Sequence, residues 1–300
     1  MDNHVLSIIF GLIAMFSIGL NSVFVGNIAK KINPAKVIFY RNFFITILMA
    51  LVFLYSCLPV GRACFFGNLL STQIGPKYIF IASLIAIVSY VPVLTFAKAL
   101  MVGKLGVVTP IAGSAVMFSA LFSVLFFGES ITIAKLIPIS LIVLGIIMNS
   151  GGLSELSLKD FLVSSGIGYA LVSCVLWGFS YCVIKIPVTI LGPVLTSLII
   201  ESGIMICGAI NMKIIKESFC LPNKRDLKCL ILVGLSGGIA SLFFNLGIGM
   251  GEVSIVAAIF SSNPLVSTLY GKFFLKEKLS KQQWFSAVLI LIGIVLIFNL

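Results

Sequence analysis

Long apolar runs recur along the whole chain, separated by short polar gaps. Ten of them reach or approach the ~20 residues that a helix needs to cross a bilayer. They are 5–26, 35–57, 78–99, 105–127, 136–151, 163–186, 193–215, 228–249, 252–275 and 284–300, the fifth and tenth being short. Within each run the apolar positions are continuous rather than alternating, which excludes the strand pattern of a membrane barrel. Backbone amides in lipid must be paired internally, so helices are the remaining solution. The predicted fold class is an all-α integral membrane protein of ten transmembrane helices. The loops and tails leave no room for a soluble domain. Met1-Asp2-Asn3-His4 puts nothing basic before the first run, unlike a cleaved leader.

Composition agrees: 60% of the 300 residues are hydrophobic and 10% charged. A soluble domain carries about 25% charged residues, so a soluble enzyme, a disulfide scaffold and a disordered chain are excluded. The formal charge is +11. The basic residues sit singly or in small groups between apolar runs and form no patch, so nucleic acid is not an expected partner; the lipid bilayer is. Fifteen of the 20 Lys and Arg fall in or beside odd-numbered loops and four beside even-numbered ones, with Arg41 inside a span. By loop charge the odd loops are cytoplasmic and both termini outside. Seven scattered cysteines, Cys64 among them, form no Cys-x-x-Cys pair and read as small apolar fillers. Neither metal nor cofactor is called for. With His4 as the single histidine, no catalytic constellation assembles.

The chain repeats itself. At an offset of 148, Gly103 meets Gly251, Ser114 meets Ser262, Ser119 meets Ser267, Glu129 meets Glu277 and Gly145 meets Gly293. Earlier in each half the offset is 159: Gly19 meets Gly178 and Pro34 meets Pro193. The halves are therefore 1–151 and 152–300, five spans each. An odd number of spans per half inserts the second copy from the opposite side. The result is an inverted repeat with a pseudo-two-fold axis in the membrane plane, a plan of secondary transporters whose substrate site lies between the halves.

Phe126-Phe127-Gly128-Glu129 with the later Gly145, and Pro264 with Phe274-Leu275-Lys276-Glu277 and Gly293, resemble the ending of the EamA repeat. Trp177-Gly178, and Pro34 followed by Arg41, resemble its earlier part. Two such units cover nearly the whole chain and imply a ten-helix carrier of the drug/metabolite transporter superfamily. Val116 stands where the second copy has Pro264, and Ile18 where it has Trp177. The resemblance implies termini in the cytoplasm, opposite to the loop charges.

Candidate site residues follow from polarity at depth. Arg41 lies about 9 Å into the second span and marks a pathway, against snorkelling to the surface. Glu201, the single acid in the middle of a span, lies roughly 12 Å deep, leaving roughly 9 Å between the two levels. It is a candidate for substrate binding and for proton coupling, against a packing role. Asn42 is its repeat counterpart. Asn21, Tyr90, Ser114, Trp177, Tyr181, Ser262 and Asn263 are further candidates for substrate binding, against simple interhelical hydrogen bonding. Pro92, Pro110 and Pro264 free backbone carbonyls within spans and are candidate hinges. Gly234-x-x-x-Gly238 and Gly247-x-x-x-Gly251 read as packing seams, within a monomer or at a dimer face. Lys98, Lys185 and Lys272 read as snorkelling at span ends. Glu129 and Glu277 read as terminal caps or salt-bridge partners.

The expected activity is alternating-access export of a small polar metabolite, with amino acids or related zwitterions as the substrate class. Arg41 would face the carboxylate, and Glu201 the ammonium or a proton. Two alternatives stand beside it: a proton-coupled exporter of cationic drugs using Glu201, and a non-transport scaffold. Monomer and homodimer are both open. The expected location is a bacterial inner membrane.

Overall fold

The computed structural model describes residues 2–28, 31–58, 74–103, 105–130, 132–149, 166–274, 276 and 280–299. The Cys64 and Glu277 readings and the junction between the halves lie outside these residues. In chain order the helices are α1 (Asn3–Ile28), α2 (Pro34–Cys57), α3 (Pro76–Val102), α4 (Leu105–Gly113), α5 (Ala115–Phe127), α6 (Ile133–Asn149), α7 (Ile167–Val183), α8 (Lys185–Leu191), α9 (Pro193–Ile214), α10 (Lys224–Met250), α11 (Val253–Ser261), α12 (Pro264–Phe274) and α13 (Lys281–Phe298). Nine helical segments of the described residues are long and apolar enough to cross a bilayer, and the tenth, Ile133–Met148, is shorter. Three crossings are broken into two helices each: α4–α5, α7–α8 and α11–α12. Ten crossings bring the start of α1 and the end of α13 to one side, called the terminus side below.

Local chemistry sets the helix ends. Asn33 accepts a hydrogen bond from the Ala35 amide and Pro34 opens α2, a first turn that needs no proline donor. Ser280 and Gln283 form a reciprocal cap on α13. Gly128 ends α5 at φ 62°, a left-handed turn that a side chain would strain, and so aims Glu129 back across the bundle.

Packing obeys the repeat. Helices α6 and α13 are equivalent, and they pack against each other. A methyl group at Gly145 would lie 2.6 Å from the Ile290 side chain and 2.9 Å from the Ser286 carbonyl. At Gly293 it would lie 2.6 Å from Ile142 and 2.9 Å from the Pro138 carbonyl. Ile290 and Ile142, and Ser286 and Pro138, are themselves partners at the offset of 148. Gly19 likewise abuts Val266 and the Asn263 carbonyl, while Gly178 abuts Phe118 and the Ala115 carbonyl. Equivalent elements that touch at equivalent residues lie on a two-fold axis, here one that also passes between the equivalent helices α2 and α9. Both glycine seams of α10 close inside the chain: Gly234 and Gly238 against α2, Gly247 and Gly251 against α1 and α11.

Two details differ from the sequence reading. The sixth crossing runs to Leu191, past the expected end at 186. Lys185 had marked that end, yet its ammonium turns inward to Glu129 Oε1 at 3.4 Å and the Gly251 carbonyl at 3.1 Å. The chain therefore continues through it as α8. Lys272 likewise sits over the Trp284 ring at 3.8 Å, a cation–π contact in place of a free reach to the head groups.

The axial packing carries a test. Gly145→Val and Gly293→Val should each overpack the same seam, at about 1–3 kcal/mol. Both are expected to lower the melting temperature in detergent by a similar amount. Loss at one position only would contradict the equivalence.

Candidate functional site

A cavity opens beside α2 and α9, lined from α1, α2, α3, α4, α7, α9, α10, α11 and the Asn263 linker. The spacing rule puts one face of each helix on it: Ile18, Asn21, Ser22 and Val25 from α1, and Trp177, Ser180, Tyr181 and Ile184 from the α7–α8 crossing. These two sets are repeat partners at 159. The same holds at 148 for Phe96 and Phe244.

Arg41 and Glu201 line this cavity and are joined through the buried Asn42 in a hydrogen-bonded chain of three side chains. Arg41 Nη1 donates to Asn42 Oδ1 at 2.9 Å, and Asn42 Nδ2 donates to Glu201 Oε2 at 2.6 Å. Asn42 is fully buried and Glu201 is 7% exposed. The amide thus spans the gap between the two charges with one acceptor and one donor. Ser241 on α10 lines the same cavity. Because Asn42 and Glu201 are repeat partners, their contact sits on the pseudo-two-fold axis.

Aromatic rings wall one side. Trp177 stacks on Tyr181 at 6.5 Å and 10°, and meets Phe96 at 5.0 Å. Tyr181 continues to Phe244 at 5.1 Å and Phe260 at 5.5 Å.

Two apolar layers bound the cavity. On the terminus side Ile184, Phe244, Ile248 and Val256 belong to one cluster. On the opposite side Val25, Phe96, Leu100 and Val108 belong to another. Taken pairwise, these are repeat partners at 159 and 148, so the two layers are one structure used twice. The terminus-side layer is reinforced. Glu129 accepts from the Val253 amide at 2.9 Å and the Ser254 hydroxyl at 2.7 Å, capping α11, and Lys185 joins it. Lys135 pairs with Glu252 at 2.7 Å close by. The other ion pair of the described residues, Lys36–Glu217 at 3.6 Å, ties the far ends of α2 and α9 together.

The predicted residues divide. Asn21, Arg41, Trp177, Tyr181, Glu201 and Asn263 line the cavity; Tyr90, Ser114 and Ser262 are not among its lining residues. Tyr90 accepts a hydrogen bond from Asn211 between α3 and α9. Ser114 and Ser262 donate to Pro110 and Ala258 carbonyls one turn back, as intramembrane hydroxyls commonly do. They stand at the two helix breaks, which fall at equivalent positions. Pro264 starts α12 at one break and Pro110 lies inside α4 before the other. The helix continues through Pro92, whose carbonyl accepts from Ser173. Asn21 donates to the Val233 carbonyl at 2.6 Å.

Sequence reading missed Asn245, Ser241 and Phe244, which also line the cavity. Asn245 was legible in one way: it is an amide deep in an apolar run whose repeat partner is Ala97.

The comparisons agree with this architecture. The EamA-like transporter family matches residues 5–151 and again 164–299. The chain belongs to that family and is a multi-pass membrane transporter protein by membership. Twenty-nine solved chains match. One of them, titled "Crystal structure of protein", is 16% identical, with a TM-score of 0.72 over 97% of this chain and 95% of its own. At that identity the likeness is one of fold. Comparison with curated proteins gives no match.

The Glu129 cap has a pH signature. Burial by itself raises its pKa, but the Ser254 and Val253 hydrogen bonds and the Lys185 charge outweigh it and hold the carboxyl below its ordinary 4.5. A carboxylate depressed on folding contributes stability above the unfolded value and loses it as pH falls through the folded one. Thermal stability of the wild type is therefore expected to fall as the pH drops below about 4.5, and Glu129→Gln to fall less steeply. Parallel curves would contradict the cap.

Proposed function

We propose that the chain is a secondary carrier that exports small zwitterions of the amino-acid class by alternating access. The observation that carries this reading is the Arg41–Asn42–Glu201 chain, which puts a cation and an acid in one cavity wall on the symmetry axis. An ionised carboxylate on the substrate suits Arg41, whose guanidinium presents a fork of five donors. An ammonium suits Glu201. Aromatic rings beside them accept an apolar or aromatic side chain.

The two equivalent apolar layers support alternation. Opening one while the other closes needs two arrangements of similar energy, which an inverted repeat provides by exchanging the conformations of its halves. The Glu129–Lys185 cap and the Lys135–Glu252 pair would have to rearrange whenever the terminus-side layer opens. Substrate bound at the axis would meet both halves at once and so carry the exchange.

One observation favours a second reading within the same class. Glu201 is the single carboxyl among the described lining residues, and Trp177, Tyr181, Phe244 and Phe260 share its cavity. Acid and rings together suit an organic cation exchanged for a proton.

Counterflow in vesicles separates the readings. A labelled amino-acid mixture should accumulate against preloaded unlabelled substrate, and Arg41→Ala should reduce it by about tenfold or more. Undiminished counterflow in Arg41→Ala would remove the carboxylate role. Absence of amino-acid flux, with pH-driven movement of a cationic dye that Glu201→Gln abolishes, would establish the second reading.

A further inference from the structure

Polar groups line the cavity from both halves, among them Asn21 and Arg41, and α9 and α10 add a further set. On α9, Ser197 and Glu201 are four residues apart and share a face; on the antiparallel α10, Ser241 and Asn245 do the same. They form a ladder whose rung is Asn245 Nδ2 donating to Ser197 Oγ at 2.7 Å, with Ser241 and Glu201 one turn along. The repeat counterparts of Ser197, Ser241 and Asn245 are Ile38, Val93 and Ala97, which pack as an apolar cluster. The ladder is thus an addition to the repeat plan rather than part of it, and helix packing does not require it.

The ladder is also incomplete. Ser197 Oγ is committed as a donor to the Pro193 carbonyl at 2.8 Å, so it can only accept from Asn245. That fixes the Asn245 amide nitrogen on Ser197 and turns its oxygen the other way. Asn245 is 1% exposed, it lines the cavity, and its Oδ1 has no hydrogen-bond partner. A buried carbonyl without a donor is costly, and a lining position makes the missing donor a ligand group. Glu201 lies one helical turn from Ser197 on α9 and lines the same cavity as Asn245. A primary ammonium carries three donors, enough to serve both acceptors from within that cavity.

We infer that Asn245 Oδ1 and the Glu201 carboxylate together form the subsite for a primary ammonium group of the substrate. This rests on the zwitterion reading and deepens it: Arg41 on α2 takes the anionic end, and the α9–α10 ladder takes the cationic one. Selectivity follows. An amine with donors to spare satisfies both acceptors, whereas a quaternary ammonium has no donor for the Asn245 carbonyl.

Trp177 in the cavity wall is a built-in reporter, since the other tryptophan, Trp284, can be replaced by Phe. In a Trp284→Phe background, fluorescence would be titrated with n-butylammonium, tetramethylammonium and butyrate. The parent is expected to bind butylammonium more tightly than tetramethylammonium. Asn245→Leu should weaken butylammonium by about tenfold and leave butyrate unchanged, which also shows that the variant is folded. Asn245→Asp, which keeps the acceptor and adds charge, should bind butylammonium at least as well as the parent. Equal butylammonium affinity in Asn245→Leu and the parent would overturn the subsite. Butyrate binding with no amine binding in the parent would overturn it too, while leaving Arg41 as an anion site. If the parent binds neither probe, the zwitterion reading falls along with the subsite. Should Asn245→Leu bind neither probe, Asn245→Asp decides: retained amine binding supports the subsite and its loss overturns it.

Discussion

Two residues at equivalent positions of a duplicated chain touch only where the two-fold axis passes between them. Asn42 and Glu201 do so at 2.6 Å, in the middle of the bundle. That contact constrains everything around it. It holds α2 against α9, with α6 against α13 as the second axial pair. Deep in a bilayer neither an amide nor an acid finds water, so each must be satisfied from within the protein. The two satisfy each other, and Arg41 attaches to the free oxygen of the amide. The remaining helices are arranged around this centre in pairs that the repeat relates.

Structure and chemistry are separated by a simple criterion. Where the halves agree, they build: Gly19 and Gly178 admit a neighbouring helix, Gly145 and Gly293 admit each other's helices, and the layers around Phe96 and Phe244 bound the cavity from opposite sides. Where the halves disagree, polar groups appear in the cavity. Arg41 stands opposite Ile200, Glu201 opposite Asn42, Ser241 opposite Val93 and Asn245 opposite Ala97. A symmetric scaffold thus carries an asymmetric lining. The scaffold suits the exchange of two conformations, and the lining suits a ligand with two different ends.

Much of this was legible in the residues. Continuous apolar runs located ten crossings, because lipid imposes length and composition on any helix that spans it. Gly and Ser matches at two offsets exposed the duplication. Arg41 and Glu201 stood out since charge at depth is costly. Other features were hidden for physical reasons. Lys185 looked like a span end because a lysine normally seeks the head groups; its partner Glu129 is 56 positions away and comes near only on folding. Tyr90, Ser114 and Ser262 are polar at depth but are not among the lining residues of this cavity, and hydrophobicity does not reveal which face of a uniformly apolar helix meets one. Asn245 drew no notice in the sequence. Its significance lies in an oxygen left without a donor, and hydrogen-bond accounting needs coordinates.

The central claim is that Asn42 and Glu201 face each other across the pseudo-two-fold axis. Exchanging them tests it most directly. Asn42→Glu alone sets two acids face to face and should lower the melting temperature in detergent. Adding Glu201→Asn restores one amide and one acid, with their places reversed, and the axis makes the reversed pair equivalent to the original. Thermal unfolding of the double variant is expected to recover most of the loss seen in Asn42→Glu. If the two substitutions simply add, the residues are not partners across the axis, and the reading of the cavity built on them fails.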